Sequence, residues 1–539
     1  MSTISLLDCT LRDGGYVNDW KFGRDNLTSI FERVIDSGVD IIEIGFLDDR
    51  RPFDEDRSIM PTTKCADKIY GKLDKKKAMV VGMIDYGTCD IKNLGPCKDS
   101  YLDGIRVIFK KHLMHPAMEY VRKVKALGYK VFAQLVSVTT YTDDEMMELI
   151  GLVNDIKPYA VSMVDTYGLM HNEDLLHFYQ LLDDNVDPDV GIGFHAHNNF
   201  QMAYSNSLEF LSKPRKHNIV IDGTLYGMGK SAGNAPLELL AMSLNDNYGK
   251  HYNINAMMEA IDESVLDFYA KSPWGYKEFF YLCAKNKCHP NYETYFMAKK
   301  NLSTSKLDDL MGTIEPDPKK LLYDKNVAEQ MYNDYIAKNI PEKESEQAFL
   351  QEIANHTLLL VGPGKNVVLE REKVATFIKE NKPYVISVNY LPDEISVDCV
   401  FVTNIKRYHD MTLTLRDKPT KVLATSNVEC RNGNFEFVIN RAPLLEENEK
   451  IMDNSFLMLL KFLRRIGVKE VSCVGFDGYS EREDNYRNPE MEYYYIKQEA
   501  SYLNYHMRCT IENLRKSMKI NFVTYSAYDA VEDINSASI

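Results

Sequence analysis

Short apolar runs rich in β-branched residues alternate with longer amphipathic stretches from the first residue to about residue 249. This alternation predicts repeated strand–helix units around a parallel sheet. Eight strands are predicted: Ile4–Cys9, Asp40–Phe46, Ala78–Ile84, Ile105–Phe109, Val131–Val138, Ala160–Asp165, Gly191–His197 and Ile219–Gly223. The helices predicted between them include Asp25–Ser37, Pro116–Leu127, Asp143–Asp155 and Glu173–Asp183. Eight repeats in about 250 residues favour a (β/α)₈ TIM barrel over the alternative, a doubly wound open sheet.

The pattern changes after residue 249, where the strand alternation is lost. Residues 250–345 are predicted to form a helical extension packed on the barrel, with helices at Met257–Tyr269, Tyr276–Lys285 and Asn326–Ala337. A charged stretch at 341–346 marks a boundary. Strands are then predicted at Thr357–Val361, Tyr384–Val388, Cys399–Thr403, Lys421–Thr425, Glu470–Gly475 and Asn521–Thr524. The predicted domains are therefore a barrel at 1–249, the extension at 250–345, and an open-sheet, Rossmann-like α/β domain of unassigned role at 346–539.

Composition and charge exclude several classes of protein. The chain is 45% hydrophobic and 27% charged, with no apolar run near the roughly 18 to 20 residues that span a bilayer, so no membrane partner is expected. Its 64 basic and 79 acidic residues give a net charge of −15, which disfavours nucleic acid. The amino terminus shows no secretion signal, and ten cysteines without a CxxC pair indicate reduced thiols in a cytoplasmic protein.

His195 and His197 end a predicted strand, two residues apart. Residues at that spacing point to the same face of a strand, so the two imidazoles can hold one metal ion. A divalent ion needs further ligands, and Asp13 supplies a carboxylate near the end of the first strand. Cys283 and Cys288, beside His289, lack the spacing of a zinc site and are interpreted as structural.

Arg12 adjoins Asp13, and its planar guanidinium suits a carboxylate or a developing enolate oxygen. The carboxyl ends of barrel strands form one active-site mouth, and other polar residues end strands there: Glu43, Asp85, Gln134 and Asp165. Asp85, Gln134 and Asp165 are each equally well explained as turn residues. A metal and an arginine around a 2-oxo acid favour aldolase-type or lyase-type chemistry.

Three ordered motifs carry a family resemblance: TLRDGG at 10–15, FHAHNN at 194–199 and GMGKSAGNAPLE at 227–238. They resemble the signatures of the DRE-TIM metallolyase superfamily, whose members include hydroxymethylglutaryl-CoA lyase and the isopropylmalate and homocitrate synthases. The third motif most resembles that of the 4-hydroxy-2-oxovalerate aldolases, which cleave 4-hydroxy-2-oxo acids into pyruvate and an aldehyde using manganese or a similar ion. The resemblance covers the barrel and the extension.

The resemblance implies a role for each matching residue. Asp13, His195 and His197 would be metal ligands for Mn²⁺, with Mg²⁺, Co²⁺ and Zn²⁺ as alternatives, and Arg12 would stabilise a pyruvate enolate. Asn234 matches a further metal ligand, although an asparagine in a glycine-rich loop also adopts left-handed conformations or caps helices.

The chain departs from the aldolase pattern at Tyr16, where these aldolases carry a histidine implicated in proton transfer. Tyrosine, with an ordinary pKa of about 10, is a poor base at neutral pH. Tyr16, His112 and a metal-bound water are the candidates for the missing acid or base. Glu43 is expected to orient Arg12 by a charge-assisted hydrogen bond, and Gln134 is a candidate for substrate binding.

The turn Gly362-Pro363-Gly364-Lys365-Asn366 follows a predicted strand of the carboxyl-terminal domain. It could surround a phosphate with N–H groups, but it lacks the known phosphate-loop patterns, and an ordinary strand-to-helix turn is favoured. The domain faintly resembles Rossmann-like domains of bacterial sialyltransferases and related nucleotide-using enzymes.

The resulting hypothesis is a divalent-metal-dependent aldolase or lyase that makes or breaks a carbon–carbon bond next to pyruvate, with a small 2-oxo acid and an aldehyde as its partners. Two alternatives remain at this stage: an acyl-CoA Claisen condensation of the isopropylmalate synthase type, and a non-catalytic barrel that serves as a scaffold for the carboxyl-terminal domain. The sequence leaves the aldehyde, the reaction direction and the oligomeric state open, a homo-oligomer included.

Overall fold

A computed structural model of the chain describes residues 2–214, 216–298, 302, 304–315, 320, 323–336, 342–428, 430, 434–448, 450–491 and 495–529. The chain divides into two compact units: Met1–Tyr295 with Asp308–Asp324, and Phe296–Leu307 with Lys325–Ile539. Residues 337 and 341, which belong to a predicted helix and to the predicted boundary stretch, lie outside the described residues. No helix in the described part of the chain has the length and apolar character to cross a membrane.

The first unit is a closed barrel of parallel strands. Its strands are β1 (Ile4–Asp8), β2 (Ile41–Leu47), β3 (Ile59–Met60), β4 (Met79–Asp85), β5 (Gly104–Phe109), β6 (Lys130–Leu135), β7 (Ala160–Asp165), β8 (Gly191–Ala196) and β9 (Ile219–Gly223). They pair in the order β1-β9-β8-β7-β6-β5-β4-β2, and β1 pairs with β2 to close the circle. The two-residue β3 lies outside the circle, against β2. The predicted eight-stranded TIM barrel is therefore confirmed, with every strand end within three residues of its predicted position.

Helices follow the strands and cover the outside of the barrel, as the amphipathic stretches predict. The helices of this part are α1 (Thr10–Asp13), α2 (Arg24–Asp36), α3 (Thr63–Tyr70), α4 (Met114–Ala126), α5 (Asp143–Ile156), α6 (Asn172–Asn185), α7 (Ala203–Ser212) and α8 (Leu237–Tyr248). After the barrel come α9 (Ile254–Ala260), α10 (Leu266–Lys271), α11 (Glu278–Lys285), α12 (Pro290–Ala298) and α13 (Thr304–Gly312). A π-helical turn at Ile261–Val265 joins α9 to α10.

Two apolar layers stabilise the barrel. The larger lies between the strands and the surrounding helices, and a smaller cluster includes Leu7, Val81, Phe132 and Val220. The guanidinium of Arg106 lies 5.9 Å from the centroid of the Phe132 ring, where the apolar filling gives way to charged side chains. Active sites of TIM barrels lie at the carboxyl ends of the strands, and the candidate residues follow or end their strands at that side.

The second unit contains a parallel sheet of seven strands. They are β10 (Leu358–Val361), β11 (Tyr384–Val388), β12 (Cys399–Val402), β13 (Lys421–Thr425), β14 (Phe437–Ile439), β15 (Glu470–Val474) and β16 (Lys519–Phe522), in the order β14-β13-β12-β11-β10-β15-β16. Its helices are α14 (Lys325–Ile336), α15 (Lys343–Glu352), α16 (Asn366–Leu369), α17 (Arg371–Asn381), α18 (Ile405–Arg416), α19 (Ser455–Arg465), α20 (Tyr495–Gln498) and α21 (Ala500–Arg515). The separate open-sheet α/β domain is thereby confirmed, and β14 is a strand that the sequence pattern does not predict.

Candidate metal centre

Asp13, His195 and His197 meet at the carboxyl end of the barrel, although about 180 residues separate the aspartate from the histidines. One ligand atom from each of the three lies within 4.8 Å of the others. The Nε2 atoms of His195 and His197 are each 3.5 Å from a carboxylate oxygen of Asp13. All three side chains are buried, so the structure brings together the three residues that the sequence predicts as metal ligands.

Hydrogen bonds at Nδ1 orient both imidazoles. Nδ1 of His195 lies 3.1 Å from a carboxylate oxygen of Asp222, and Nδ1 of His197 lies 3.1 Å from the backbone oxygen of Asp165. Because both partners are acceptors, each Nδ1 carries the proton and each Nε2 presents a lone pair. Within the described residues, neither Nε2 atom has a hydrogen-bond partner, although both are buried.

Asn234 completes this arrangement. Its Nδ2 donates to Asp13 Oδ1 at 3.0 Å and to the Met228 backbone oxygen at 3.1 Å, which leaves its buried Oδ1 without a partner in the described part of the chain. Asn234 does not adopt a left-handed conformation, because its φ is not positive. It does not cap a helix either, because α8 begins only at Leu237. Gly229 permits the close approach, since a Cβ there would lie 2.1 Å from Asn234 Nδ2.

The chemistry of these donors fits a divalent cation. Two imidazole nitrogens, an amide oxygen and a carboxylate are the mixed ligand set of divalent transition metals and magnesium. Buried polar atoms are ordinarily hydrogen-bonded, yet His195, His197 and Asn234 each present one buried atom that has no partner among the described residues. Arg12 and the two histidines outweigh the effect of burial and hold the pKa of Asp13 well below its ordinary value.

A ring of charged side chains surrounds the candidate ligands. Arg12 Nε donates to Glu43 Oε2 at 2.7 Å, and Arg12 Nη1 pairs with Asp13. Glu43 Oε2 lies 3.0 Å from Arg106 Nη1, and Arg106 Nη2 pairs with Asp222. Asp222 then meets His195, which closes the ring. The predicted contact between Glu43 and Arg12 is present, and Glu43 holds both arginines.

Arg106 and Asp222 are functional candidates that the sequence analysis does not identify. Each is a charged residue inside an otherwise apolar strand, in GIRVIF and IVIDG, and that interruption is the signal that would point to them. Burial raises the pKa of the Asp222 carboxyl, but Arg106 and His195 outweigh it, so that the pKa is lowered. Asp222 is therefore an anionic hydrogen-bond partner that fixes the imidazole of His195.

Cys9 also lies near His195 and Asp222, and the three form a second group of possible ligands. Burial raises the pKa of the Cys9 thiol well above its ordinary value, and its sulfur donates to the backbone oxygen of Gly223 at 3.3 Å. Cys9 Sγ and Asp222 both face Nδ1 of His195, whereas Asp13 faces Nε2, so Cys9 lies on the other side of the imidazole from the candidate ligands.

Tyr16 stands at the edge of the site, with 44% of its surface exposed. Its ring contacts Trp20 edge-on at a centroid distance of 4.7 Å, and Phe46 at 6.3 Å. Loss of water around the hydroxyl, together with the nearby carboxylate of Asp13, raises the pKa of Tyr16 to about 12. The hydroxyl is therefore protonated at neutral pH, and is a donor rather than a base.

The other two predicted residues lie in different surroundings. His112 is exposed on a 3₁₀ turn, Lys111–Leu113, and makes no hydrogen bond or ion pair with the candidate ligands in the described part of the chain. Gln134 is buried and has both ends of its amide engaged, accepting from Arg106 at 3.0 Å and donating to Ser162 at 2.9 Å. Their proposed roles in proton transfer and in substrate binding remain predictions.

The part of the chain that contains the candidate metal centre matches a known protein family. Residues 3–263 match the HMGL-like protein-family model, which covers the barrel and every candidate ligand. The barrel is an HMGL-like domain. This family assignment agrees with the DRE-TIM metallolyase resemblance of the three motifs.

Relatives of the HMGL-like domain are distant. The chain is 26% identical over 285 residues to the oxaloacetate decarboxylase of Mycobacterium tuberculosis, covering 50% of this chain and 78% of the relative. It is 24% identical over 243 residues to 4-hydroxy-2-oxovalerate aldolase 2 of Salinispora arenicola, covering 45% and 68%. A crystal structure of the amino-terminal domain of an aldolase candidate of Bacteroides vulgatus superposes with a TM-score of 0.47 at 22% identity, covering 56% of this chain and 98% of that one. The family contains lyases and condensing enzymes, so the barrel is an enzyme domain.

The contact between Asp222 and His195 leads to a prediction about metal affinity. Replacing Asp222 with asparagine removes the charge that holds Nδ1 of His195 and should weaken Mn²⁺ binding by about 10- to 100-fold. Calorimetric titration of the purified variant measures this. The matched control is Asp143→Asn, because the Asp143 carboxylate also contacts an imidazole, Nε2 of His177 at 2.7 Å, but on the exposed surface. Equal Mn²⁺ affinity in the two variants would contradict the role of Asp222.

Proposed function

We propose that the HMGL-like domain is a divalent-metal-dependent carbon–carbon lyase that works through the enolate of a 2-oxo acid, cleaving a 4-hydroxy-2-oxo acid into pyruvate and an aldehyde, or catalysing the reverse condensation. The observation that carries the proposal is the convergence of Asp13, His195, His197 and Asn234 beside the guanidinium of Arg12. These four side chains would hold the ion, with Mn²⁺ as the first candidate. A divalent ion in such a site polarises a ketone oxygen and stabilises negative charge on it.

Arg12 is held in position to stabilise, together with the ion, the charge that develops on the enolate oxygen. Its Nε and Nη1 are bonded to Glu43 and Asp13, and its Nη2 donates no hydrogen bond within the described residues. The guanidinium also lies 5.9 Å from the centroid of the Phe46 ring. A donor fixed in this way needs little reorganisation when charge develops on an enolate oxygen. Nη2 is therefore the atom to which we assign that contact.

Tyr16 is the residue to which we assign proton transfer or hydrogen bonding at the aldehyde side. In the condensation direction, its protonated hydroxyl can donate to the aldehyde oxygen. It is poorly suited to removing a proton. With Trp20 and Phe46 it forms an aromatic edge beside Arg12, so the aldehyde pocket has an apolar wall.

Exchange of the pyruvate methyl protons with deuterated water tests the proposal, because exchange reports enolate formation without any need to know the aldehyde. Followed by proton NMR, exchange should require added Mn²⁺ or Mg²⁺ and should stop with excess chelator. Two results would contradict the proposal. One is exchange that proceeds without metal, and the other is the absence of exchange with each of Mn²⁺, Mg²⁺, Co²⁺ and Zn²⁺. A screen of aldehydes with pyruvate, and of oxaloacetate as a second source of the same enolate, then identifies the reaction.

Lys230 leads to a further prediction about substrate affinity. Its ammonium lies 5.5 Å from the centroid of the Tyr16 ring and forms no ion pair with any described carboxylate. Burial lowers its pKa, and the charge of Asp13 opposes that effect. An unpaired cation here should attract the anionic 2-oxo acid, so Lys230→Met should raise the KM about five- to tenfold, roughly 1 to 1.4 kcal/mol, with kcat nearly unchanged.

Steady-state kinetics on the variant measures this effect. The control is Lys123→Met, which removes the same charge from the exposed face of α4. A fall in kcat at constant KM would assign Lys230 to the chemical step instead of to binding.

A further inference from the structure

The second unit contains a cavity of about 720 Å³. It is lined by residues that follow the carboxyl ends of several strands: Gly364 after β10, Asn389 after β11, Thr403 after β12 and Asp477 after β15. Every lining residue that the structure describes belongs to the second unit. The cavity is therefore separate from the metal centre, and its argument does not depend on the proposed function.

The strand order places this cavity where open α/β sheets bind ligands. From β10 the chain adds β11, β12, β13 and β14 on one side, and then returns to add β15 and β16 on the other side. The direction of winding thus reverses between β10 and β15. Loops at such a reversal leave opposite faces of the sheet and open a crevice at the carboxyl ends of the strands. Gly364 and Asp477, which follow these two strands, both line the cavity.

The polar lining consists mainly of amides and hydroxyls. Asn389 Nδ2 lies 2.7 Å from Ser455 Oγ and 3.0 Å from Thr403 Oγ1, and these two hydroxyl oxygens are 2.7 Å apart. Four more asparagines line the cavity: Asn404, Asn427, Asn454 and Asn485. Amides and hydroxyls both donate and accept, as the hydroxyl groups of a sugar ring do. Tyr479 adds an aromatic ring, and its hydroxyl lies 3.4 Å from Asn454 Nδ2.

The charged side chains that the structure describes around the cavity balance one another. Among the described residues, its lining contains three cationic and three anionic side chains: Lys406, Arg407, Lys450, Asp453, Asp477 and Glu499. Lys450 Nζ is 2.7 Å from Glu499, and Arg407 Nη2 donates to the backbone oxygen of Met491 at 2.6 Å. A site for a polyphosphate would present an excess of unpaired cations. This lining instead suits a ligand that is recognised by its neutral hydroxyl groups.

The Gly362–Asn366 turn does not supply a phosphate cradle either. The backbone N–H of Asn366 donates to Asp477 Oδ2 at 2.9 Å, so a carboxylate of the protein already occupies the place of an anion. A Cβ on Gly364 would lie 2.5 Å from Cγ of Asp477, which explains the glycine. The turn is a packed connection between β10 and α16, as the sequence pattern favours.

From the strand reversal, the hydroxyl and amide lining and the balanced charges, we propose that the second unit binds a neutral ring with adjacent hydroxyl groups in this cavity. Two sources share that chemistry, the ribose of a nucleoside and a free hexose. The ligand would lie across the ends of β10 and β15, hydrogen-bonded to the lining amides and hydroxyls and packed against Tyr479.

Saturation-transfer NMR and calorimetry on the full-length protein test the proposal, with four probes measured separately: uridine, adenosine, N-acetylglucosamine and inorganic phosphate. We expect one nucleoside or the hexose to bind with a Kd below about 1 mM, while phosphate neither binds nor competes. Binding of a nucleoside identifies the ribose source, and binding of the hexose identifies the other. Failure of all three ring-bearing probes to bind, or displacement of the bound probe by phosphate, would overturn the proposal.

Two variants locate the binding. Thr403→Val and Tyr479→Phe each remove one hydroxyl from the lining while keeping the shape of the side chain, and each should weaken binding of the probe about fivefold or more. The matched control is Thr412→Val on α18, where the hydroxyl donates to the Tyr408 backbone oxygen at 2.9 Å and does not line the cavity. Wild-type affinity in both lining variants would overturn the assignment. Metal-dependent pyruvate exchange should be the same in all three variants.

Discussion

Replacing Arg12 with lysine is expected to slow metal-dependent exchange of the pyruvate methyl protons by about 100- to 1000-fold, the usual effect of losing a fixed donor to a developing oxyanion. Lysine keeps the positive charge but has a single nitrogen in place of the guanidinium fork. In the wild type, two nitrogens of that fork are fixed by Glu43 and Asp13, and the third remains for substrate. A lysine ammonium paired with Glu43 and Asp13 would have no fixed third position to offer. Proton NMR of pyruvate in deuterated water measures the rate.

Two controls separate this role from a general loss of the site. Mn²⁺ titration of Arg12→Lys should show near wild-type stoichiometry, because Asp13, His195, His197 and Asn234 are unchanged. Arg50→Lys is the matched control, since two guanidinium nitrogens of Arg50 are likewise hydrogen-bonded to carboxylate oxygens, both of Asp48, but Arg50 lies exposed after β2. Exchange at the wild-type rate in Arg12→Lys would show that charge alone suffices, and would contradict the assigned role of Nη2.

The fold was predictable wherever strands are long enough to show their pattern. The eight barrel strands are predominantly β-branched or apolar because both of their faces are covered, and their positions follow from the sequence. The strands that it does not indicate, Ile59–Met60 and Phe437–Ile439, have two and three residues, too few to establish a period. The reversal of winding at β10 is likewise set by the tertiary arrangement and not by any local pattern.

The candidate site was predictable only in part. Strand spacing and motif order lead to Asp13, His195 and His197, because the carboxyl ends of barrel strands converge on one mouth. The same reasoning does not find the partners of these residues. Whether Arg106 faces the barrel interior or the helices is decided by the register of β5 with its neighbours, and Lys230 takes its direction from the loop that carries Asn234.

Arg106 leads to the largest expected effect on stability. The side chain is completely buried between Glu43 and Asp222, which are also buried, and it accounts for one of the two positive charges in the ring. Replacing Arg106 with leucine removes the positive charge that lies between the two negatively charged carboxylates. Removing one partner of a buried ion pair costs about 3 to 5 kcal/mol of unfolding free energy. By contrast, Arg122→Leu, which breaks exposed pairs with Glu119 and Asp155, should leave the free energy of unfolding almost unchanged.

Urea unfolding followed by tryptophan fluorescence measures this loss in the barrel alone, because the two tryptophans, Trp20 and Trp274, both belong to the first unit. The pH dependence identifies the cause. In the wild type the folded-state pKa of Asp222 is lowered, so its ionised form stabilises the fold above the unfolded pKa, and that contribution is lost as the pH falls through the folded value. Without Arg106 the pKa of this carboxyl should rise, and the cost of the substitution should be smaller at pH 5 than at pH 8. An equal cost at both pH values would assign the loss to packing against Phe132 instead of to unpaired charge.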